Sequence, residues 1–248
     1  MTIRKATPIK SAMVLAAGLG LRMRPLTDDI PKPLIAVSGQ PMLDRVLDHL
    51  ERARIGRAVI NLHYLGERIV EHLTERKRPE IQFSYEKDVL ETGGGVARAL
   101  SQLGDKPFIV VNSDTVWLDG PSPAIERMRR LWDGRRMDAL LMLYPTALAS
   151  SYQGTGDFFM DAGGRLVRRG EKTVAPFVFT GVQILHPRLF EGAPDGKFSL
   201  NILYDRAREK GRLFGLRHDG EWYHVGTPEL LKSVDAQIES PHARMSRL

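Results

Sequence analysis

Short apolar runs alternate with segments of helical spacing through the first half of this chain, and that alternation constrains the fold more than any other feature. The runs Ala12–Ala17, Ala58–Leu62, Ile81–Tyr85, Phe108–Asn112 and Ala139–Tyr144 have the length of buried strands. Between them, Met42, Leu43, Val46, Leu47, Leu50 and Ala53 recur at helical spacing. So do Leu65, Ile69, Val70 and Leu73, and then Val96, Leu100 and Leu103. Strand-then-helix units in series predict an α/β fold, with a mostly parallel sheet, right-handed crossovers and helices on both faces. Ligands in such sheets sit beyond the C-terminal ends of the strands. A length of 248 residues suits one large domain of this kind.

The pattern changes after Ser150. Asp157–Asp161, a turn at Ala162, Gly163 and Gly164, and Leu166–Val167 predict a hairpin. Phe177–Leu185 is a further strand, Ser199–Glu209 a helix, and Leu213–Leu216 and Trp222–Val225 are short strands. Thr227 and Pro228 open a last helix as N-cap and first-turn residue. No linker-like stretch or repeat interrupts this half, which therefore predicts a small mixed-strand region closing one side of a cleft.

The first strand runs straight into a loop holding Gly18, Gly20, Arg22 and Arg24, followed by Lys32 between Pro31 and Pro33. Glycines let backbone N–H groups approach phosphate oxygens, and the cations supply countercharge. The two prolines predict an extended segment that gives Lys32 a fixed direction. No Gly-Lys-Ser/Thr follows, and Gly18-Leu-Gly20 lacks the third glycine of the dinucleotide fingerprint, so neither familiar phosphate loop applies.

Asp114 follows a strand run and reads either as an oxygen ligand for Mg²⁺ at a strand tip or as a turn aspartate. Three glycines, Gly93, Gly94 and Gly95, precede a helix whose first turn needs at most one, which predicts the close approach of something flat. Asn112 is a candidate hydrogen-bonding group at a strand end, and Thr180-Gly181 predicts a close approach within a strand. His63 and His186 read as ordinary loop histidines.

Composition narrows the alternatives. The chain has no cysteine, which removes disulfides, thiolate metal sites and a cysteine nucleophile and fits a reducing cytoplasm. It has no apolar run long enough to span a membrane, and Met1–Lys10 lacks the apolar core of a signal peptide. The net charge of +6 is dispersed without an aromatic platform, which argues for anionic small molecules over nucleic acid. The densest basic stretch, Arg127–Arg136, reads as the solvated face of a helix with Ile125, Met128, Leu131 and Trp132 inward.

Gly18-x-Gly-x-Arg22-Met-x-Pro25-Leu-Thr27 with Pro31-Lys32-Pro-Leu34 resembles the signature of the sugar-1-phosphate nucleotidyltransferases. Glu91-Thr-Gly-Gly-Gly95, Val111-Asn-Ser-Asp114 and Trp222-Tyr-His-Val-Gly-Thr227 follow in family order, so the resemblance spans nearly the whole chain. It implies a Rossmann-like sheet of the nucleotide-diphospho-sugar transferase type. The nucleotide-binding half would cover about residues 10–145 and the sugar-binding half about 146–240 of a single domain. It implies a nucleoside triphosphate and a sugar 1-phosphate as ligands, with Mg²⁺ or Mn²⁺ as cofactor. Ala16, Ala17, Gly18 and Gly20 would meet the nucleotide, and Gly93, Gly94 and Gly95 would lie beside base and ribose. Arg22 would neutralise the leaving phosphates, Lys32 would bridge the reacting ones, and Asp114 would hold the metal.

The family's second metal ligand is normally aspartate, and this chain has His224 there. An imidazole suits manganese better than magnesium. His224 is then an altered ligand, a hydrogen-bond donor to phosphate, or the mark of a degraded site. On the sugar side the resemblance implies Gly156, Asp157, Glu171 and Lys172, although Thr173 replaces the family's proline after that pair. Asn112, Thr180 and Gly181 are taken with them as sugar contacts.

Within the family the chain is most similar to the short N-acetylmuramate-1-phosphate uridylyltransferases of bacterial cell-wall recycling, which implies UTP as donor. Guanylyl or thymidylyl transfer to mannose or glucose 1-phosphate is the alternative, and a non-catalytic nucleotide-sugar sensor is another. A monomer is favoured.

Overall fold

The computed structural model describes residues 9–170 and 174–239. Its first half contains β1 (Ser11–Leu15), β2 (Ala36–Val37), β3 (Gln40–Pro41), α1 (Met42–Arg52), β4 (Arg57–Leu62), α2 (Gly66–His72), β5 (Glu80–Tyr85), α3 (Glu91–Leu103), β6 (Phe108–Asn112), β7 (Thr115–Leu118), α4 (Ala124–Leu131) and β8 (Ala139–Pro145). There follow β9 (Phe158–Met160), β10 (Leu166–Arg168), β11 (Phe177–Leu185), α5 (Asn201–Glu209), β12 (Leu213–Arg217), β13 (Glu221–His224) and α6 (Pro228–Glu239).

Strand β1 shows why the sheet is covered on both faces. Ala12 and Val14 join the core beneath α1, α2 and α4, while Met13 joins the core beneath α3 and α5. Alternate residues point to opposite faces, so a run with no polar interruption needs a helix layer on each side. The β4 strand repeats the pattern, with Ala58 and Ile60 on one side and Val59 on the other.

Among the described residues, nine strands form the main sheet, ordered β10-β9-β11-β6-β1-β4-β5 with β8 and β12 attached beside β11. The segment β6-β1-β4-β5 is parallel throughout. Its register places Leu15 level with both Asn61 and Asn112, so the loops after β1, β4 and β6 leave from one line of strand tips. Strand β11 runs antiparallel to β6 and to β8, and its pairing with β8 shifts register between Phe179 and Gln183. Thr180 and Gly181 lie in that bulge, and Gly181 has φ +89°. Strands β7 and β13 form a separate antiparallel ribbon in which His224 pairs with Thr115.

Two sequence expectations change here. Lys32 is not in an extended segment: only Pro31 is extended, and Lys32–Leu34 is one 3₁₀ turn closed by Leu34 N to Pro31 O (2.8 Å). A proline near the start of a helical turn loses no hydrogen bond, which is why Pro33 fits there. On α4, Ile125 and Met128 are buried, but Leu131 faces outward at 43 % exposure. The basic stretch around α4 is dispersed into surface pairs, Arg127 with Asp219 and Arg129 with Glu126.

Candidate active site

The loop after β1 is closed on itself by one threonine. Gly20 adopts φ +66°, and a side chain there would press on Thr27 and Lys32. Its carbonyl accepts from Met23 N (2.9 Å) and from Oγ1 of the fully buried Thr27 (2.9 Å). Met23 is buried with Ile35, Val37, Met42, Tyr223 and Val225, so the loop is anchored while Arg22 beside it is exposed. Gly18 has no neighbour within 4 Å of a hypothetical side chain, which leaves its backbone open to an approaching anion. Arg24 turns to Asp28 (3.2 Å).

A cavity of about 550 Å³ opens over the strand tips, and its walls include Ala16, Ala17, Gly18, Gly20, Arg22, Lys32, Asn112 and Asp114. Residues separated by nearly one hundred positions thus meet because β1 and β6 are neighbours. Ser113 makes the latch, its N–H and hydroxyl both donating to Leu15 O (3.1 and 2.6 Å). Asp114 follows immediately, and Lys32 Nζ donates to its Oδ2 at 2.5 Å. The Lys32 side chain is 12 % exposed and that of Asp114 37 %, so the carboxylate still faces water on one side.

The cavity also has a floor that sequence reasoning missed. Asn61, 3 % exposed, accepts from Ala16 N (2.7 Å) and donates to Glu86 Oε1 (2.7 Å). Glu86, 5 % exposed, uses Oε2 to accept from Leu90 N (3.0 Å) at the entry to α3. This chain of bonds ties β4 and α3 to the loop after β1 and leaves a buried carboxylate on the cavity wall. Thr92 lines the same end.

His224 closes the β13 strand opposite Thr115, the chain neighbour of Asp114. Its backbone N–H donates to Ser151 Oγ (2.7 Å), and its ring meets Tyr152 edge-on. Burial pushes its pKa below the ordinary histidine value, Lys32 and Arg22 add to this, and Asp114 opposes it. The direction of this shift favours the neutral imidazole, whose unprotonated ring nitrogen carries a lone pair. Gly226 lines the cavity beside it.

Other residues singled out from the sequence take architectural positions. Gly93 and Gly94 both donate N–H to Phe198 O (2.9 and 3.1 Å), and side chains there would strike Phe198 and Gly196. Gly95 backs onto Glu86 and Asn61. The chain's own segment before α5 approaches Gly93 and Gly94 closely. Gly94→Ala is accordingly expected to cost about 2 kcal/mol by overpacking, seen as a thermal midpoint lowered by roughly 4–8 °C, whereas Gly18→Ala leaves the midpoint unchanged.

Thr180 is 2 % exposed and its hydroxyl donates to Met142 O (2.9 Å), so it presents no side chain to a ligand. Gly181 lies against the Asn112 side chain. Asp157 Oδ2 accepts from Phe179 N (2.8 Å), and Gly156, at φ +76°, is packed against Ala175 O and accepts from Arg169 Nε (2.9 Å). Glu171 and Lys172 lie outside the described residues. Among the described residues no helix is long and apolar enough to cross a membrane.

The arrangement offers a long anionic ligand a cationic end at Arg22 and Lys32 and an acceptor at the other end at Glu86. The chain is 41 % identical to the N-acetylmuramate alpha-1-phosphate uridylyltransferase of Caulobacter vibrioides over 92 % of its length and 97 % of that protein. It is 34 % identical to the protein of that name from Neisseria meningitidis, over 91 % and 96 %. Its fold is shared with a UDP-glucose pyrophosphorylase solved with UDP-glucose, at TM-score 0.76 and 18 % identity over 97 % of this chain and 100 % of that one. It is also shared with HddC of Yersinia pseudotuberculosis solved with GMP-PN, at TM-score 0.74 and 23 % identity over 93 % and 100 %. Residues 11–240, which carry the whole cavity, match the Nucleotidyl transferase family, and the chain belongs to it.

Proposed function

We propose that this chain transfers uridylyl from UTP to N-acetylmuramate 1-phosphate, giving UDP-N-acetylmuramate and pyrophosphate, as a cytoplasmic step in peptidoglycan recycling. The observation that carries the reaction class is the convergence of Arg22, Lys32 and Asp114 on one cavity at the tips of parallel strands. The substrate pair is supported by the two uridylyltransferases that it resembles over nearly their full length.

A phosphate oxygen of the sugar 1-phosphate attacks the α-phosphorus in line. The new P–O bond forms as the bond to the β-phosphate breaks, and pyrophosphate leaves with the electron pair. The attacking oxygen is already anionic near neutral pH, so no general base is required, and catalysis reduces to positioning and charge neutralisation. Gly18 and Gly20 bring the loop backbone to the phosphates, Arg22 neutralises the leaving pair, and Lys32 moves from Asp114 to bridge the reacting phosphates. Asp114 and the neutral His224 are the residues that would hold Mg²⁺ or Mn²⁺, which supplies further neutralisation of the phosphates. A carboxylate oxygen and an imidazole nitrogen suit a cation whose remaining positions phosphate oxygens complete. On the acceptor side, Asn112, Gly181, Asp157, Glu171 and Lys172 remain the proposed sugar contacts.

The base is read at the other end. A buried carboxylate only accepts hydrogen bonds, so Glu86 favours a base edge that presents N–H, as uracil does at N3. Glu86→Gln puts an amide NH₂ against either Asn61 Nδ2 or Leu90 N, each already a donor. It is expected to raise KM for UTP about tenfold with kcat nearly unchanged, measured by steady-state pyrophosphate release. An unchanged KM would remove Glu86 from nucleotide recognition.

A further inference from the structure

The motif around Trp222 contains a conspicuous indole that substrate handling does not use, and the bulge at Thr180 frees a carbonyl from its ladder. The two meet. Thr180 O accepts from Thr115 Oγ1 at 2.5 Å and from Trp222 Nε1 at 3.1 Å, while Trp222 Nε1 also reaches Thr115 Oγ1 at 3.1 Å. Thr115 and Trp222 are each 5 % exposed, so this three-membered knot is shielded from water. We propose that the knot of Thr115, Trp222 and the Thr180 carbonyl is a positioning device that sets Asp114 and His224 over the cavity.

The β7–β13 ribbon carries His224 and begins one residue after Asp114, and it is not part of the main sheet ladder. It must be fastened by side chains. Other ties lie farther along it, such as His49 with Trp117 O (3.2 Å) and His218 with Leu118 O (3.0 Å). The knot lies at the active-site end, beside the bond from His224 N to Ser151 Oγ, because Thr115 follows Asp114 in the chain and pairs with His224 across the ribbon. It also fastens this end to β11, whereas Ser113 holds the chain just before Asp114 to Leu15 O of β1, and so relates Asp114 and His224 to the acceptor half. The bulge with its left-handed Gly181 is what turns the Thr180 carbonyl toward the ribbon.

This inference rests on the reading of Asp114 as a metal-holding residue, and one experiment separates the two. Thr115→Val keeps the shape and loses the hydroxyl, while Trp222 and Thr180 stay bonded to each other. Thr115→Ser keeps the hydroxyl. Mn²⁺ affinity would be followed by electron paramagnetic resonance in the presence of α,β-methylene-UTP, beside kcat and KM. Thr115→Val is expected to lose about tenfold in both Mn²⁺ affinity and kcat with KM for UTP within about twofold, and Thr115→Ser to restore both. Asp114→Asn serves as the reference. If it abolishes Mn²⁺ binding while Thr115→Val matches the native protein, or raises only KM, the positioning role is overturned. If Asp114→Asn binds Mn²⁺ normally, the metal reading itself has failed.

Discussion

Asp114→Asn is expected to lower kcat/KM about a thousandfold, roughly 4 kcal/mol of transition-state stabilisation, while the protein stays folded. Two anions must be brought together, and Asp114 is the carboxylate beside Lys32 on the cavity wall, placed to recruit a cation to them. The amide keeps the shape and a hydrogen bond to Lys32 but loses the charge. Stability changes little because Asp114 is more than a third exposed and water screens its pairing with Lys32. Pyrophosphate release beside a thermal melt checks both halves of the statement. Turnover within tenfold of the native protein would mean that the carboxylate is a turn residue.

Lys32→Met is expected to fall by two to three orders of magnitude in kcat/KM, the cost of removing one charged group aimed at the reacting phosphates. It has a second, opposite signature. Lys32 Nζ occupies Asp114 Oδ2 when no nucleotide competes for it. Removing the ammonium therefore frees the carboxylate, and Mn²⁺ binding to the nucleotide-free protein should tighten about tenfold, the scale of a charge-assisted hydrogen bond discounted for partial exposure. A calorimetric titration distinguishes this from a general loss of structure. Weaker metal binding in the variant would contradict the exchange of partners at Lys32.

Much of this architecture is readable from apolar periodicity. The strands that carry the cavity end within two residues of their predicted bounds, and the rule that ligands sit beyond parallel strand ends places Gly18, Lys32 and Asp114 together. What is not readable is what approaches what. Gly93, Gly94 and Gly95 signal close neighbours, and their identity, the segment around Phe198 for the first two and Glu86 with Asn61 for the third, emerges only in the folded chain. Thr180-Gly181 signals a bulge equally well as a pocket; the bulge is there, and the Thr180 side chain is buried beneath it. Asn61 and Glu86 carry no local signature. Their role comes from hydrogen bonds to Ala16 N and Leu90 N that exist only once β1, β4 and α3 are assembled. The β7 strand is hidden for a similar reason, since its partner β13 lies about a hundred residues downstream.

The most direct measurement is pyrophosphate release with UTP, GTP, dTTP, CTP and ATP, each against N-acetylmuramate, N-acetylglucosamine, mannose and glucose 1-phosphates, in Mg²⁺ and in Mn²⁺. The account expects turnover to peak at UTP with N-acetylmuramate 1-phosphate, and to rise with Mn²⁺ if the His224 imidazole holds the cation. A peak at another pair would contradict the proposed substrates while leaving the chemistry of Arg22, Lys32 and Asp114 in place. No turnover with any pair, with UDP-N-acetylmuramate still bound, would contradict the enzyme altogether and make the cavity a sensor.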